Sequence, residues 1–151
     1  MTVEELAARL RPGQRLIGLD LGEKTIGVAL SDALLMTATP LETIRRSKFT
    51  PDARRLIGLA EAENAAAFVI GLPVNMDGSE GPRAQSARAF ARNLGRLTDI
   101  PVLLWDERLS TAGVERALLE ADVSRARRSQ VVDKLAAAWI LQGVLDRLAS
   151  M

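Results

Sequence analysis

The chain has 151 residues, of which 48% are hydrophobic, 20 are Lys or Arg and 19 are Asp or Glu, and it contains neither Cys nor His. This length suits one domain with a full core, so we expect residues 1–151 to form a single domain. The absence of Cys and His excludes disulfides, thiolate or imidazole metal ligands, and an imidazole general base. Any metal would be held by oxygen, which favours Mg²⁺ or Mn²⁺.

No apolar run approaches the roughly 18 residues that a bilayer span needs, and charged residues among the first eleven positions are unlike a secretory signal. We therefore expect a cytoplasmic protein. Among the cations only Lys24, Lys48 and Lys134 are lysine. Arginine is the better bidentate partner for phosphate, but a codon bias toward arginine explains the same composition.

The first part of the chain predicts a short helix and three strands. Thr2 is a suitable cap for a helix that ends by Leu10. The apolar runs 16–21 and 25–30 flank a turn at Gly22 and predict an antiparallel hairpin. A third extended segment over residues 34–44 contains Pro40, which cannot donate to a ladder and therefore suits an edge strand.

The remainder alternates helices and strands. The predicted elements are a helix from the cap Thr50 to Asn64, a strand over 67–72, a helix over 83–97, a strand over 101–107, a helix from Ser110 or Thr111 to Ala121, and a last helix over 129–148. This order predicts an α/β fold with a five-stranded mixed sheet, in which three antiparallel strands come first and a β-α-β unit follows, with helices on both faces.

Asp20, at the end of the first strand, is the first candidate functional residue. Because side chains alternate along a strand, Asp20 shares a face with Leu16 and Gly18, and we expect Gly18 to leave open space beside it. A carboxylate buried there must be hydrogen-bonded, paired with a cation or bound to metal. Acceptance of backbone N–H groups from the Gly22 turn is the structural alternative.

Two further acids stand out by position. The fifth strand ends in Asp106-Glu107, and only one of these can share the face of Asp20. The last helix carries Asp133 followed by Ala136 and Ala137, whose small side chains permit close packing on the sheet. If Asp20, one acid of strand five and Asp133 converge, they form a site for two divalent cations, the arrangement used to attack phosphodiesters.

Four blocks of the sequence resemble the YqgF/RuvX family of ribonuclease H-like nucleases, in the same order. They are IGLDLGEKTIGVALSD, VIGLPVNMDGSEGPRAQ, DERLST and VVDKLAA, and the resemblance spans roughly residues 15–145. It implies a ribonuclease H-like fold, a role in processing the 5′ end of pre-16S ribosomal RNA, and kinship with Holliday-junction resolvases. It also implies that Asp20, Glu107 and Asp133 are the catalytic, metal-binding residues, with a two-metal site of Mg²⁺ or Mn²⁺.

Glu107 is favoured over Asp106 because strand five of such a sheet lies two places from strand one, and the longer side chain spans more of that gap. The resolvases place a glutamate at the end of strand four and a fourth acid three residues after the helix aspartate. Here those positions hold Gly71-Leu72-Pro73 and Ala136. Because the chain lacks acids at these two positions, its site has three carboxylates rather than the set found in resolvases. Junction resolution is therefore kept as the alternative to RNA processing.

Several cations flank the expected site or lie further out on the same surface. The candidate nucleic-acid-binding residues are Lys24, Arg83, Arg88, Arg92, Arg108, Thr111, Arg125, Arg127 and Arg128. No acid lies between Pro82 and Thr98, so a phosphate backbone would relieve repulsion among the arginines of that helix; a solvated arginine face is the alternative. The loop 77–82 offers backbone N–H groups to a phosphate, or is an ordinary turn.

Other functions stay open at this point. A non-catalytic nucleic-acid-binding protein would keep the fold without cleavage. A phosphotransferase of the actin and hexokinase type also opens with a D-L-G turn, but it needs two such domains. Only 3% of residues are aromatic, so base stacking is a poor basis for recognition. Junction resolution would require a homodimer that cuts strands symmetrically.

Overall fold

A computed structural model describes residues 1–109 and 125–151, with the side chains of the second segment described from Asp133 onward. The helices and strands are α1 (Val3–Arg9), β1 (Arg15–Leu21), β2 (Thr25–Ser31), β3 (Ala38–Arg45), α2 (Phe49–Ala62), β4 (Ala65–Leu72), α3 (Pro82–Gly95), β5 (Val102–Asp106) and α4 (Arg125–Ala149). A 3₁₀ turn over Glu107–Leu109 follows β5 directly.

The five strands form one mixed sheet in the order β3-β2-β1-β4-β5. β1 pairs antiparallel with β2 and parallel with β4, while β2 pairs antiparallel with β3 and β4 pairs parallel with β5. The predicted α/β class and mixed sheet are confirmed. Pro40 lies on the edge strand β3, at an irregularity in its pairing with β2, as expected of a residue without an N–H donor.

The two faces of the sheet carry separate hydrophobic cores. On one face, Ile17 and Leu19 of β1 pack with Phe90 of α3 and with residues of α2. On the other face, Leu16 packs with residues of α4, and with Leu6 of the short α1. The alternation of β1 is therefore as predicted: Asp20 lies on the face that α4 covers.

Helix α4 approaches the sheet closely because glycines on three strands face it. A methyl group at Gly18 would lie 2.7 Å from Cβ of Leu141 and 2.9 Å from the carbonyl oxygen of Ala137. A methyl group at Gly27 would overlap the backbone of Asp133. The expectation that Gly18 opens space beside Asp20 for metal ions is therefore wrong, because α4 fills that space.

The predicted ends of the first three helices can be compared with the structure. α1 is capped by Thr2, which accepts the N–H of Glu5, as predicted. α2 begins at Phe49, so Thr50 is not its cap; instead the buried carboxylate of Asp52 accepts from the backbone N–H and the hydroxyl of Ser47. α3 ends at Gly95 rather than at residue 97, and Leu97 is 48% exposed.

The remaining differences concern the last third of the chain. β5 ends at Asp106 rather than Glu107, and α4 begins at Arg125 rather than at residue 129. The helix predicted to end near residue 121 lies outside the described residues. Among the residues that are described, no helix has the length and apolar character needed to cross a bilayer.

We expect Gly27→Ala to lower the free energy of unfolding by about 3 kcal/mol or more, because the added methyl group overlaps backbone atoms that cannot rotate away. Urea denaturation measures this change. Gly58→Ala is the matched control: nothing lies within 4 Å of its added methyl group, and alanine inside α2 should stabilise the protein by up to about 1 kcal/mol. Equal unfolding midpoints for the wild type and Gly27→Ala would contradict the close packing of α4.

Candidate active site

Asp20 is the penultimate residue of β1 and lies between two glycines on the neighbouring strands. The residue is 2% exposed, and its cross-strand partner on β2 is Gly27. On the other side, Leu19 is in register with Ile70 of β4, so Gly71 lies next to Asp20. Neighbouring strands are about 4.8 Å apart, so side chains that enter over either glycine come near Asp20.

Asp133 enters over Gly27. Its backbone lies against Gly27, and its carboxylate accepts a hydrogen bond from the hydroxyl of Thr25 at the start of β2. The same carboxylate faces the β1–β2 turn, because a methyl group at Gly22 would lie 3.4 Å from Oδ2 of Asp133. The first turns of α4 therefore present this acid to the end of β1.

Glu107 enters over Gly71. Its carboxyl carbon lies 3.3 Å from the position that a methyl group on Gly71 would take. Trp105 is in register with Gly71 and belongs to the core beneath α4, and the 3₁₀ turn that begins at Glu107 brings this carboxylate back over Gly71 on the same face. The longer carboxylate at this position thus reaches back toward the end of β1.

The donor set suits a hard divalent cation, because carboxylate oxygens are the ligands that Mg²⁺ and Mn²⁺ prefer. Asp20 is buried in the sheet, whereas Glu107 and Asp133 are half-buried. Within the described part of the chain, however, no three His, Cys, Asp or Glu side chains stand close enough together to hold an ion as placed.

Asp106 points away from the three other acids. Its carboxylate accepts from the backbone N–H of Arg108 at 2.9 Å and from the guanidinium Nη2 at 2.7 Å. The Arg108 guanidinium holds the pKa of this carboxyl below its ordinary value. Asp106 and Arg108 therefore form a local ion pair that fixes the 3₁₀ turn carrying Glu107.

The predicted nucleic-acid-binding arginines differ in their surroundings. Arg88 donates to both carboxylate oxygens of Glu80, at 2.6 and 2.7 Å. The expectation that the arginines of α3 have no acid to relieve them is therefore wrong for Arg88, because its partner lies just before the helix. Arg83 donates weakly to the carbonyl of Leu21 at 3.5 Å, and Arg92 is exposed.

Other candidates are only partly covered by the structure. Lys24 is exposed at the hairpin turn. Thr111 lies outside the described residues, and so do the side chains of Arg125, Arg127 and Arg128, whose backbone begins α4.

The loop that precedes α3 closes on itself. The N–H of Gly78 donates to the carbonyl of Asn75 at 2.9 Å, and the N–H of Ser79 donates to the carboxylate of Asp77 at 2.9 Å. The hydroxyl of Ser79 also donates to Asp77, and these bonds hold the pKa of that carboxyl below its ordinary value. Because these N–H groups are engaged within the loop, its geometry favours the ordinary-turn interpretation over a phosphate cradle.

Sequence reasoning missed three residues that shape this site: Thr25, Gly27 and Gly71. A signal for the glycines was present, because glycine inside an apolar strand marks the close approach of another backbone or ligand. No local pattern indicates Thr25, since its partner Asp133 is 108 positions away in the chain.

The family model described as "RuvX: Holliday junction resolvase" matches residues 14–147. The chain belongs to the RuvX family. A relative from Ruegeria pomeroyi is 63% identical over 99% of this chain and 97% of its own length. One from Rhizobium meliloti is 62% identical over 100% of this chain and 92% of its own length. Both carry the name "Putative pre-16S rRNA nuclease".

Solved structures show the fold that RuvX-family membership implies. Thermus thermophilus RuvC, in complex with a Holliday junction substrate, is similar with a TM-score of 0.56 and 14% identity, over 91% of this chain and 97% of the other. The yeast mitochondrial Holliday junction resolvase Ydc2 is similar with a TM-score of 0.50 and 11% identity, over 98% of this chain and 86% of the other. The ribonuclease H-like, RuvC-type fold is confirmed.

We expect Arg108→Gln to lower the urea midpoint of this RuvX-family chain slightly at pH 7, because the ion pair that it removes is partly exposed to solvent. At pH 3 the decrease should be smaller. The pKa of Asp106 is lowered in the folded state, so its pairing stabilises the protein above the unfolded pKa of about 3.9 and is lost as the pH falls through the folded value. Urea denaturation of both proteins at both pH values measures the difference. An equal decrease at pH 7 and pH 3 would mean that Arg108 acts through packing rather than charge.

Proposed function

We propose that the chain is a divalent-metal-dependent nuclease that hydrolyses phosphodiester bonds of structured nucleic acid, with residues 1–151 acting as one nuclease domain. Asp20, Glu107 and Asp133 are its catalytic and metal-binding residues. The observation that carries this proposal is the pair of glycines beside Asp20: Asp133 packs over Gly27, and the carboxylate of Glu107 lies over Gly71.

Each acid has a distinct structural role in this proposal. Asp20 is fixed by the sheet and is the rigid member of the set. Asp133 is oriented by the hydroxyl of Thr25, and Glu107 stands on the turn that the Asp106–Arg108 pair holds. The favoured arrangement is a two-metal site of Mg²⁺ or Mn²⁺. One ion would activate the attacking water and the other would stabilise the leaving oxygen. Since the chain has no His, no imidazole shares that work.

The names of the relatives support pre-16S ribosomal RNA as the substrate. Cleavage at its 5′ end is what the family resemblance implies, and the processing of ribosomal RNA would place the protein in the cytoplasm. Holliday-junction resolution is the second candidate, supported by the description of the family. Against it, β4 ends in Gly71-Leu72 where the resolvases place a glutamate, and the fully buried Ala136 stands where they carry a fourth acid. Symmetric junction cutting would also require a homodimer.

We expect Asp20→Asn and Glu107→Gln each to reduce cleavage of a 16S rRNA precursor by about 10³-fold or more, because members of a catalytic set fail together. Purified protein with Mn²⁺ or Mg²⁺ is assayed on the precursor and, in parallel, on a four-way DNA junction. Asp106→Asn is the matched control: the amide oxygen of Asn can still accept the backbone N–H of Arg108 and so keep the turn that carries Glu107, while the negative charge is removed.

Cleavage by Asp20→Asn at the wild-type rate would refute the assignment of the site. Equal loss in Asp106→Asn and Glu107→Gln would refute the choice between these two neighbours. Cutting of the junction but not of the RNA precursor would establish the second candidate as the function.

We expect Mn²⁺ at about ten times its dissociation constant to raise the free energy of unfolding by about 1.4 kcal/mol, because the ion binds only the folded protein. Thermal unfolding with and without Mn²⁺ measures the change without any substrate. The rise should disappear in Asp133→Asn and persist in Asp106→Asn. A rise of equal size in both variants would show that the ion binds elsewhere.

A further inference from the structure

A basic cleft lies beside the proposed active site, on the face of the sheet that carries α3. It has a volume of about 740 Å³ and lies between the β1–β2 turn, the end of β3 and the first residues of α3. Four cationic side chains line it against a single carboxylate, that of Glu23. The cations are Lys24, Arg45, Arg46 and Arg83. Arg45 and Arg46 are not among the residues that sequence reasoning selected.

None of these four cations forms an ion pair with any residue in the part of the chain that the structure describes. Elsewhere on the protein, arginines do find acidic partners: Arg15, Arg55, Arg88, Arg108 and Arg147 are all paired. Clustering like charges without counter-charges is unfavourable, and an anion in the cleft would relieve it. The cleft is therefore a concavity of the described surface in which four positive charges without ion-pair partners lie together.

The cleft is held in shape before any ligand binds. Nη1 of Arg46 donates to the carbonyl of Gly22 at 2.7 Å, and its guanidinium carbon lies 5.6 Å from the centre of the Phe90 ring. The backbone N–H of Arg46 donates to the carbonyl of Lys24 at 2.8 Å. A guanidinium has five N–H donors, so Arg46 retains donors for a ligand, and its fixed position reduces the entropic cost of binding.

The cleft and the acids meet at the β1–β2 turn. Gly22 accepts from Arg46 on the cleft side, while a methyl group on Gly22 would lie 3.4 Å from the carboxylate oxygen of Asp133 on the other. Arg45 is the cross-strand neighbour of Thr25, whose hydroxyl binds Asp133. A nucleic-acid strand that places one phosphate at the acids would cross this turn and bring a neighbouring phosphate to the cleft.

We propose that this cleft binds a backbone phosphate of the same nucleic-acid strand that the acids cut, with Arg45 and Arg46 acting together with Lys24 and Arg83. The inference rests on the proposed nuclease function. The protein touches phosphate and not bases here, so the cleft adds affinity and fixes the position of the strand without selecting a sequence. It makes Arg45 and Arg46 substrate-binding residues.

The test measures binding separately from cleavage. A fluorescein-labelled RNA hairpin with a 5′ single-stranded extension is titrated with protein in EDTA, and its anisotropy is followed at several salt concentrations. We expect the double variant Arg45→Gln/Arg46→Gln to bind about tenfold more weakly at low salt. Its slope of log affinity against log salt should be smaller by about 0.7 for each phosphate that the variant no longer neutralises.

Two variants separate the cleft from other effects. Arg96→Gln, at the opposite end of α3, is the matched control and should bind like the wild type. Lys24→Gln removes an exposed cation, so it tests the cleft even if removal of Arg46 from the Phe90 ring lowers the melting temperature. Both Lys24→Gln and the double variant should weaken binding.

The outcomes distinguish the cleft from the nuclease assignment. Unchanged affinity and salt slope in the double variant and in Lys24→Gln overturn the cleft proposal, and so does a wild-type protein that does not bind the hairpin. Displacement of the RNA by submillimolar inorganic phosphate would identify a site for the free anion and also overturn it. Weakened binding in the variants, together with no cleavage by the wild type with any divalent metal, would retain the cleft and reject the nuclease.

Discussion

The close approach of α4 to the sheet is the constraint on which the rest of the structure depends. Gly18 and Gly27 present no side chain to this helix, and a methyl group at either would collide with it. Ala136 and Ala137 on the helix are fully buried against the same face. Small residues on both partners let backbone meet backbone, and that packing brings Asp133 from the end of the chain to the end of β1.

Small residues also leave space beside Asp20 on the two neighbouring strands. Its neighbours on β2 and β4 are both glycines, so the two flanking strands leave the space above them to Asp133 and Glu107. A larger residue at Gly71 would displace Ile140 and Glu107 together, because a methyl group there would lie 2.5 Å from the Ile140 side chain. The same small residues therefore allow the core to pack and the acids to reach the end of β1.

The charged side chains near the site fall into two groups, those that pair with each other and those that have no ion-pair partner. Asp106 is paired with Arg108 and Glu80 with Arg88, and these pairs hold the turn after β5 and the loop before α3. The cations around the β1–β2 turn have no such acidic partners among the described residues. In the proposed nuclease both sets are needed, because the carboxylates alone would repel a nucleic-acid backbone.

The sequence by itself determined the order of the strands and helices, the edge position of β3, the face of Asp20 and the choice of Glu107 as the acid on that face. These follow from the alternation of side chains, the missing donor of Pro40 and the family blocks. Only the tertiary structure decided that Gly18 receives α4, that Arg88 pairs with Glu80, and that Arg45 and Arg46 line a cleft with α3. Such facts depend on contacts between separate segments of the chain, whose partners no local pattern specifies.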